Sequence, residues 1–124
     1  MSRTILIAED DEMLMDLYSS AFEAKGFTVL KAFNGKEALD FLDEDASLVN
    51  FILLDIIMPK MDGLEFLGKV KKNDRYKNIP IVVSTSLFNP EDEEEAMKLG
   101  AKEYLVKSQN TPTQIIEKVE KYLN

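Results

Sequence analysis

The feature that most restricts what this chain can fold into is an alternation. Five short β-rich apolar runs take turns with five longer amphipathic stretches. The runs are Ile5-Leu6-Ile7-Ala8, Phe27-Thr28-Val29-Leu30, Phe51-Ile52-Leu53-Leu54, Ile81-Val82-Val83 and Tyr104-Leu105-Val106. Between them, apolar residues recur at helical spacing: Leu14, Leu17, Tyr18, Ala21 and Phe22, then Ala38, Leu39 and Leu42, then Leu64, Leu67 and Val70. Ile115, Ile116, Val119 and Leu123 mark the last helix. Strict alternation of this kind implies right-handed βαβ units, hence a parallel sheet with helices on both faces. The third run is apolar at every position, as a strand covered on both sides should be.

The punctuation agrees. Gly26 and Gly100 stop the first and fourth helices, and Asn34-Gly35 makes a turn before the second. Asn89-Pro90 reads as an N-cap with proline in the first turn of the fourth helix, followed by the acids Glu91 to Glu95. Thr111, Pro112 and Gln114 form a capping-box start to the fifth. A length of 124 residues without linker or repeat is expected to form one domain, 1–124.

Composition narrows the chemistry. Cysteine and histidine are both absent, which excludes disulfides, thiolate metal sites, cysteine nucleophiles and serine–histidine triads. Carboxylates, hydroxyls, lysines and a hard cation remain. The net charge of −8, from 15 basic and 23 acidic side chains, disfavours direct nucleic-acid binding. A local basic stretch, Lys69 to Lys77, is read as the carboxyl end of a helix meeting its dipole. No run is long enough to span a bilayer, and Ile5–Ala8 is too short for a signal-peptide core, so the expectation is a cytoplasmic chain away from membranes.

Ligands of an open parallel sheet bind outside the carboxyl ends of its strands. Those ends carry Glu9 and Asp10, Asp55, Thr85, and Lys107. Three carboxylates gathered at one rim repel one another unless a cation joins them, and a sparse all-oxygen set suits magnesium. A carboxylate can also accept a phosphoryl group covalently. A lysine and a hydroxyl facing it would stabilise charge on the transferring group. Taken singly, each residue has a simpler role. Glu9, Asp10 and Asp11 precede a helix and suit capping, Asp55 suits a loop cap, Thr85 a turn, and Lys107 a solvated strand end. Matching chemistry on four strand ends weighs against that simpler account.

These residues stand in a wider pattern: Ile5 to Asp11, Asn34-Gly35-Lys36-Glu37-Ala38-Leu39, Ile79-Pro80-Ile81 leading to Thr85, Gly100-Ala101 and Tyr104 to Lys107. Its most specific part is Asp55-Ile56-Ile57-Met58-Pro59-Lys60-Met61-Asp62-Gly63. From Ile5 to Leu123 the chain resembles the receiver domain of bacterial and archaeal two-component response regulators. The resemblance implies a doubly wound, flavodoxin-like (βα)5 fold with strand order 2-1-3-4-5, for which such receivers are themselves a standing example. It implies Asp55 as phosphoacceptor, served by the phosphohistidine of a sensor histidine kinase or histidine phosphotransfer protein. Magnesium, with manganese as its substitute, would be held by Asp10 directly, Glu9 through water, Asp55 and the carbonyl of Ile57. Thr85 and Lys107 would meet the phosphoryl oxygens, and Tyr104 would turn inward as Thr85 moves. A downstream protein would read the face made by the fourth helix, fifth strand and fifth helix.

Two details depart from the family. Ser108 follows Lys107 where proline is usual, so a trans link and a reshaped loop are expected. Ile57 and Leu87, with Ser86 beside them, stand at the pocket mouth, where the two apolar side chains would shield an acyl phosphate from water. Two other readings compete: a small phosphatase with an aspartyl nucleophile, and a receiver-shaped interaction module that never uses phosphate. The phosphatase reading lacks an Asp-x-Asp motif after the first strand and a cap domain. The reading without phosphate leaves the matched set Asp10, Asp55, Thr85 and Lys107 unexplained. The chain is thus expected to catalyse only its own phosphotransfer and dephosphorylation.

Overall fold

The computed structural model describes residues 3–123; Met1, Ser2 and Asn124, part of the terminal and domain readings above, lie outside that range. The elements in chain order are β1 Thr4–Ala8, α1 Glu12–Ala24, β2 Thr28–Ala32, α2 Gly35–Asp45, a short 3-10 turn Ala46–Leu48, β3 Phe51–Leu54, α3 Gly63–Lys72, β4 Ile81–Thr85, α4 Pro90–Lys98, β5 Glu103–Val106 and α5 Pro112–Leu123. The strands form one parallel sheet in the order β2-β1-β3-β4-β5, as expected.

Alternation along each strand sorts the core into two layers. Ile5, Ile7, Phe51, Leu53, Val82 and Leu105 face α1 and α5, where Tyr18, Phe22, Ile115 and Val119 close over them. Leu6, Ala8, Ile52, Leu54, Ile81 and Val83 face the other way, under Leu42, Phe66, Leu67 and Ala96 of α2, α3 and α4. β1, β3 and β4 are buried along nearly their whole length, which is why their sequences carry no polar alternation.

The helix ends follow local chemistry. Asp62 Oδ1 accepts the Glu65 N–H at 2.9 Å, and Asn89 Oδ1 accepts from Glu91 and Asp92 at 2.9 and 3.2 Å. Thr111 and Gln114 exchange backbone-to-side-chain bonds of 2.8 and 3.1 Å, completing the expected capping box. Lys69, Lys71 and Lys72 do occupy the last turn of α3, although Lys71 Nζ donates to the carbonyls of Lys77 and Ile79 in the next loop.

Two readings of the sequence change, and one element is added. Asn34-Gly35 is no free turn: Asn34 Oδ1 accepts the Glu37 N–H at 2.9 Å, so Asn34 caps α2 and Gly35 begins it. In α1 the inward set is Met15, Tyr18, Ser19 and Phe22, while Leu17 is 48% exposed. The buried stripe runs i, i+3, i+4, i+7 from Met15, and Leu17 falls one step off it. The turn at Ala46–Leu48 carried no periodic signal and went unread.

Candidate functional site

Backbone hydrogen bonds carry the sheet ladder one residue past three strands. Glu9 N–H donates to Ala32 O at 3.0 Å, Asp55 N–H to Ala8 O at 2.9 Å and Lys107 N–H to Thr85 O at 2.7 Å. These bonds fix the side chains of Glu9, Asp55 and Lys107 on one rim, at the height set by the sheet. Lys107 Nζ donates to Glu9 Oε1 at 2.6 Å and to Asp55 Oδ2 at 3.2 Å. Glu9 is 2% exposed and Asp55 4%. Oxygens of Glu9, Asp10 and Asp55 all lie within 4.8 Å of one another.

The capping roles weighed above divide among the acids. Asp11, not Asp10, caps α1, its Oδ1 accepting the Leu14 N–H at 3.0 Å. Glu9 Oε2 accepts the Asp11 N–H at 3.1 Å, and Asp55 Oδ1 accepts the Ile57 N–H at 3.1 Å. Asp55 therefore caps its own loop with one oxygen and faces Lys107 with the other. Asp10 is exposed at the rim.

Two nearly buried carboxylates share one ammonium, which leaves the cluster short of positive charge. Burial first, and then repulsion from Asp55, pushes Glu9 up to about 7, against the opposing pull of Lys107. Burial pulls the Lys107 ammonium down, but its bonds to Glu9 and Asp55 outweigh it and the net shift is upward. The two shifts agree once the cluster is taken whole: Lys107 keeps its proton, and Glu9 competes for a further proton or a cation. An oxygen-only donor set with a deficit of positive charge fits a divalent cation such as magnesium.

The loop after Asp55 explains its own sequence. A Cβ on Gly63 would stand 2.4 Å from the Asp55 carbonyl oxygen and 2.6 Å from Ile56 Cα, closer than any side chain permits. Gly63 N–H instead donates to Ile56 O at 2.8 Å, so α3 begins directly against the backbone that holds Asp55. The intervening turn carries Lys60 at φ 69°, with the Met61 N–H donating to Pro59 O at 2.8 Å.

Thr85 is fully buried and stands apart from the ion pair; its Oγ1 accepts the Leu87 N–H in a long 3.4 Å bond. Tyr104, half-buried on the α4 side of the sheet, keeps its hydroxyl enclosed. Burial and then Asp92 raise its pKa, with the backbone at Asn89 opposing, which places the phenol under the start of α4. Ser86 is exposed, Ile57 is 46% exposed and Leu87 65%, and Phe88, next in the chain and unnoticed in the sequence, is 54% exposed. No peptide bond among the described residues is cis, Lys107–Ser108 included, as expected. In the loop that follows, Val106 O accepts the Gln109 N–H at 2.9 Å and a hydrogen bond from Asn110 Nδ2 at 3.1 Å. Two further residues near the rim escaped the sequence reading in this role, Tyr18 and Ser84. Tyr18 read as a core residue and Ser84 drew no notice; the parity of β3 and β4 puts Ser84 on the same face as Asp55.

Comparison with known proteins agrees with the geometry. The family model of the response regulator receiver domain matches residues 5–120. The polar-differentiation response regulator DivK of Brucella anthropi is 33% identical over 123 residues, covering 99% of this chain and 98% of that protein. Among solved structures, a CheY-like receiver domain protein of Methanospirillum hungatei superposes with TM-score 0.89 at 27% identity, over 99% of this chain and 94% of that one. The manganese-bound response regulator Rcp1 superposes with TM-score 0.85 at 28% identity, covering 98% and 94%. Receiver domains are signalling modules of two-component systems, and the acidic rim matches the place where they bind magnesium or manganese. Among the described residues no helix is long and apolar enough to cross a membrane. A sheet in this order, with its acids gathered on the carboxyl rim and a family match along nearly the whole chain, leads to one assignment: the protein belongs to the response regulator receiver family.

Proposed function

We propose that this chain works as a single receiver unit that accepts a phosphoryl group on Asp55 from the phosphohistidine of a sensor histidine kinase or histidine phosphotransfer protein. The observation that carries the reading is the close set of Glu9, Asp10 and Asp55 carboxylates with Lys107 bridging two of them. An oxygen of Asp55 attacks phosphorus; the new O–P bond forms as the P–N bond breaks, and the electron pair stays on the departing imidazole. The Ile57 N–H and Lys107 orient the carboxylate for that attack. A divalent cation, magnesium or manganese, held by Glu9, Asp10, Asp55 and the Ile57 carbonyl would supply positive charge opposite the transferring oxygens.

Once phosphate is on Asp55, the Lys107 ammonium follows the new negative charge. The Thr85 hydroxyl, held by a long bond from Leu87, moves to donate to a phosphoryl oxygen. Its displacement makes room on the α4 side, where Tyr104 settles further inward, and the face made of α4, β5 and α5 changes shape. That face carries Glu91 to Glu95 and suits a basic protein partner rather than nucleic acid. Ile57 and Leu87 shield the acyl phosphate, so its hydrolysis is slow.

Incubation with a small phosphodonor and magnesium, followed by mass measurement, tests the reading. A single-phosphate adduct that disappears in Asp55→Asn is expected. Turnover of the donor without an adduct would identify a phosphatase instead. No reaction would leave a phosphate-independent interaction module. Loss of the adduct within seconds at neutral pH would sink the shielding role of Ile57 and Leu87.

A further inference from the structure

Glycine at position 35 has no reason in its own backbone. It opens α2, its φ is not positive, and glycine is among the poorest helix formers. The reason lies across the rim. A Cβ there would stand 2.3 Å from the Met61 carbonyl oxygen and 2.9 Å from Met61 Cβ. In the space left free, the Gly35 N–H donates to Met61 O at 3.2 Å. Met61 belongs to the loop that carries Asp55 and Ile57.

That bond closes a ring. Asp55 N–H donates to Ala8 O at 2.9 Å and Glu9 N–H to Ala32 O at 3.0 Å, both as continuations of the sheet. From Ala32 the chain runs through Phe33 and Asn34 to Gly35, crosses to Met61, and returns through the loop to Asp55. Glu9 and Asp55 are therefore held to each other twice, once by the sheet and once by this outer span. The span is braced. Asn34 is buried, its Oδ1 accepts the Glu37 N–H at 2.9 Å, and the Phe33 N–H donates to Glu37 Oε1 at 2.8 Å. Ile57 lies between Asp55 and Met61, and its neighbours Ile56 and Met58 are both buried in the core under α2 and α3. A close-packed loop has little slack, so a displacement of Met61 is carried to the Ile57 carbonyl.

We propose that Gly35 is a positioning residue for the cation site: by seating Met61 against the start of α2, it sets where the Ile57 carbonyl stands relative to Glu9 and Asp10. Gly35 touches neither the cation nor the phosphoryl group and acts through Met61. The inference rests on the proposed function for the cation's ligands; the bond and the close approach stand without it.

Calorimetry of magnesium binding to the full chain, beside chemical denaturation, tests it. Gly35→Ala should bind magnesium about tenfold more weakly, the lower end of what contacts supporting a metal ligand contribute. Leu42→Ala empties part of the core under the same helix without entering the Met61 contact. It should lose stability and keep its magnesium affinity, a separation that a merely structural role for Gly35 would not give. Equal weakening in both variants, or none in Gly35→Ala, overturns the proposal. Magnesium and the Gly35–Met61 bond must also strengthen each other by the same factor. Saturating magnesium should therefore slow hydrogen exchange of the wild-type Gly35 amide about tenfold, and slow the Ala38 amide of the same turn less. This measurement needs no variant and decides the matter if Gly35→Ala does not fold. An unchanged Gly35 amide, or equal slowing of the two amides, overturns the proposal. A wild type that takes phosphate while Gly35→Ala binds magnesium normally defeats this inference alone. One that binds magnesium but accepts no phosphate defeats the proposed phosphotransfer and leaves Gly35 to the two binding measurements. One that binds no divalent cation defeats both.

Discussion

Strand β4 ends in two adjacent hydroxyl residues that face opposite sides of the sheet, and each shares its face with a tyrosine whose hydroxyl is enclosed. On the α1 and α5 side, Ser84 meets Tyr18, which is 1% exposed and locked into the layer with Phe22 and Ile115. On the α4 side, Thr85 shares its face with Tyr104, which lies at the sheet edge on β5 and packs only partly against its neighbours. The same pair of side-chain types thus sits in two mechanical settings. A ring enclosed by helix and sheet has one rotamer available, because close-packed interiors leave no room for another. A ring at an edge strand beside one short helix has somewhere to go. Under the proposed function, the enclosed Tyr18 lies on the side that holds the site and the edge Tyr104 on the side that would report its state.

The strongest way to break that comparison is to shift Asp55 relative to both pairs. Gly63→Ala forces a Cβ into the Asp55 carbonyl, and a loss of up to about 3 kcal/mol is expected by chemical denaturation. A variant with wild-type stability would show that the loop yields and that the height of Asp55 is not fixed.

Glu9 belongs to the fixed side, and its proton gives the next largest effect. With a pKa of about 7, Glu9 is mostly protonated at pH 6 and mostly ionised at pH 8. A cation must displace that proton, so magnesium should bind about tenfold more weakly at pH 6 than at pH 8 by calorimetry. The same shift bears on the metal-free fold. A carboxyl with a raised folded pKa holds a proton that the unfolded chain has lost, so stability falls as pH rises from 4.5 to about 7. Glu9→Gln should flatten that slope, and an unchanged slope would place the proton elsewhere.

The two tyrosines can be compared directly. The Tyr18 phenol pairs with the Ser84 hydroxyl, so Tyr18→Phe should cost about 0.5–1.5 kcal/mol of stability by chemical denaturation. Tyr104→Phe removes an enclosed hydroxyl whose contact with the backbone at Asn89 is too loose for a close hydrogen bond, and should change stability by less than about 0.5 kcal/mol. Equal effects would erase the distinction between the faces. Smallest of all, Lys60→Gly relieves the left-handed backbone in the Asp55 loop and should change stability by no more than about 1 kcal/mol, in the stabilising direction. A clear loss would mean that the Lys60 side chain itself holds the turn.

What the sequence determined by itself is the framework. The alternation of apolar runs, the unbroken apolar β3, the Asn89-Pro90 start and the Thr111–Gln114 box are local signals, readable because hydrophobic period and capping act within a few residues. The strand-end rule likewise puts Glu9, Asp10, Asp55, Thr85 and Lys107 on one rim from sequence alone. The tertiary structure decided what depends on contacts between distant segments. It chose Asp11 over Asp10 as the α1 cap, turned Leu17 outward, and set α3 so close to Asp55 that only glycine fits at position 63. It also brought Tyr18 under Ser84, 66 positions apart by their numbers. A tyrosine on an apolar helix face looks like any core residue in sequence. Its hydroxyl gains meaning only when the sheet carries a second hydroxyl and a cluster of charges above it, because hydrogen bonding depends on position in space and not along the chain.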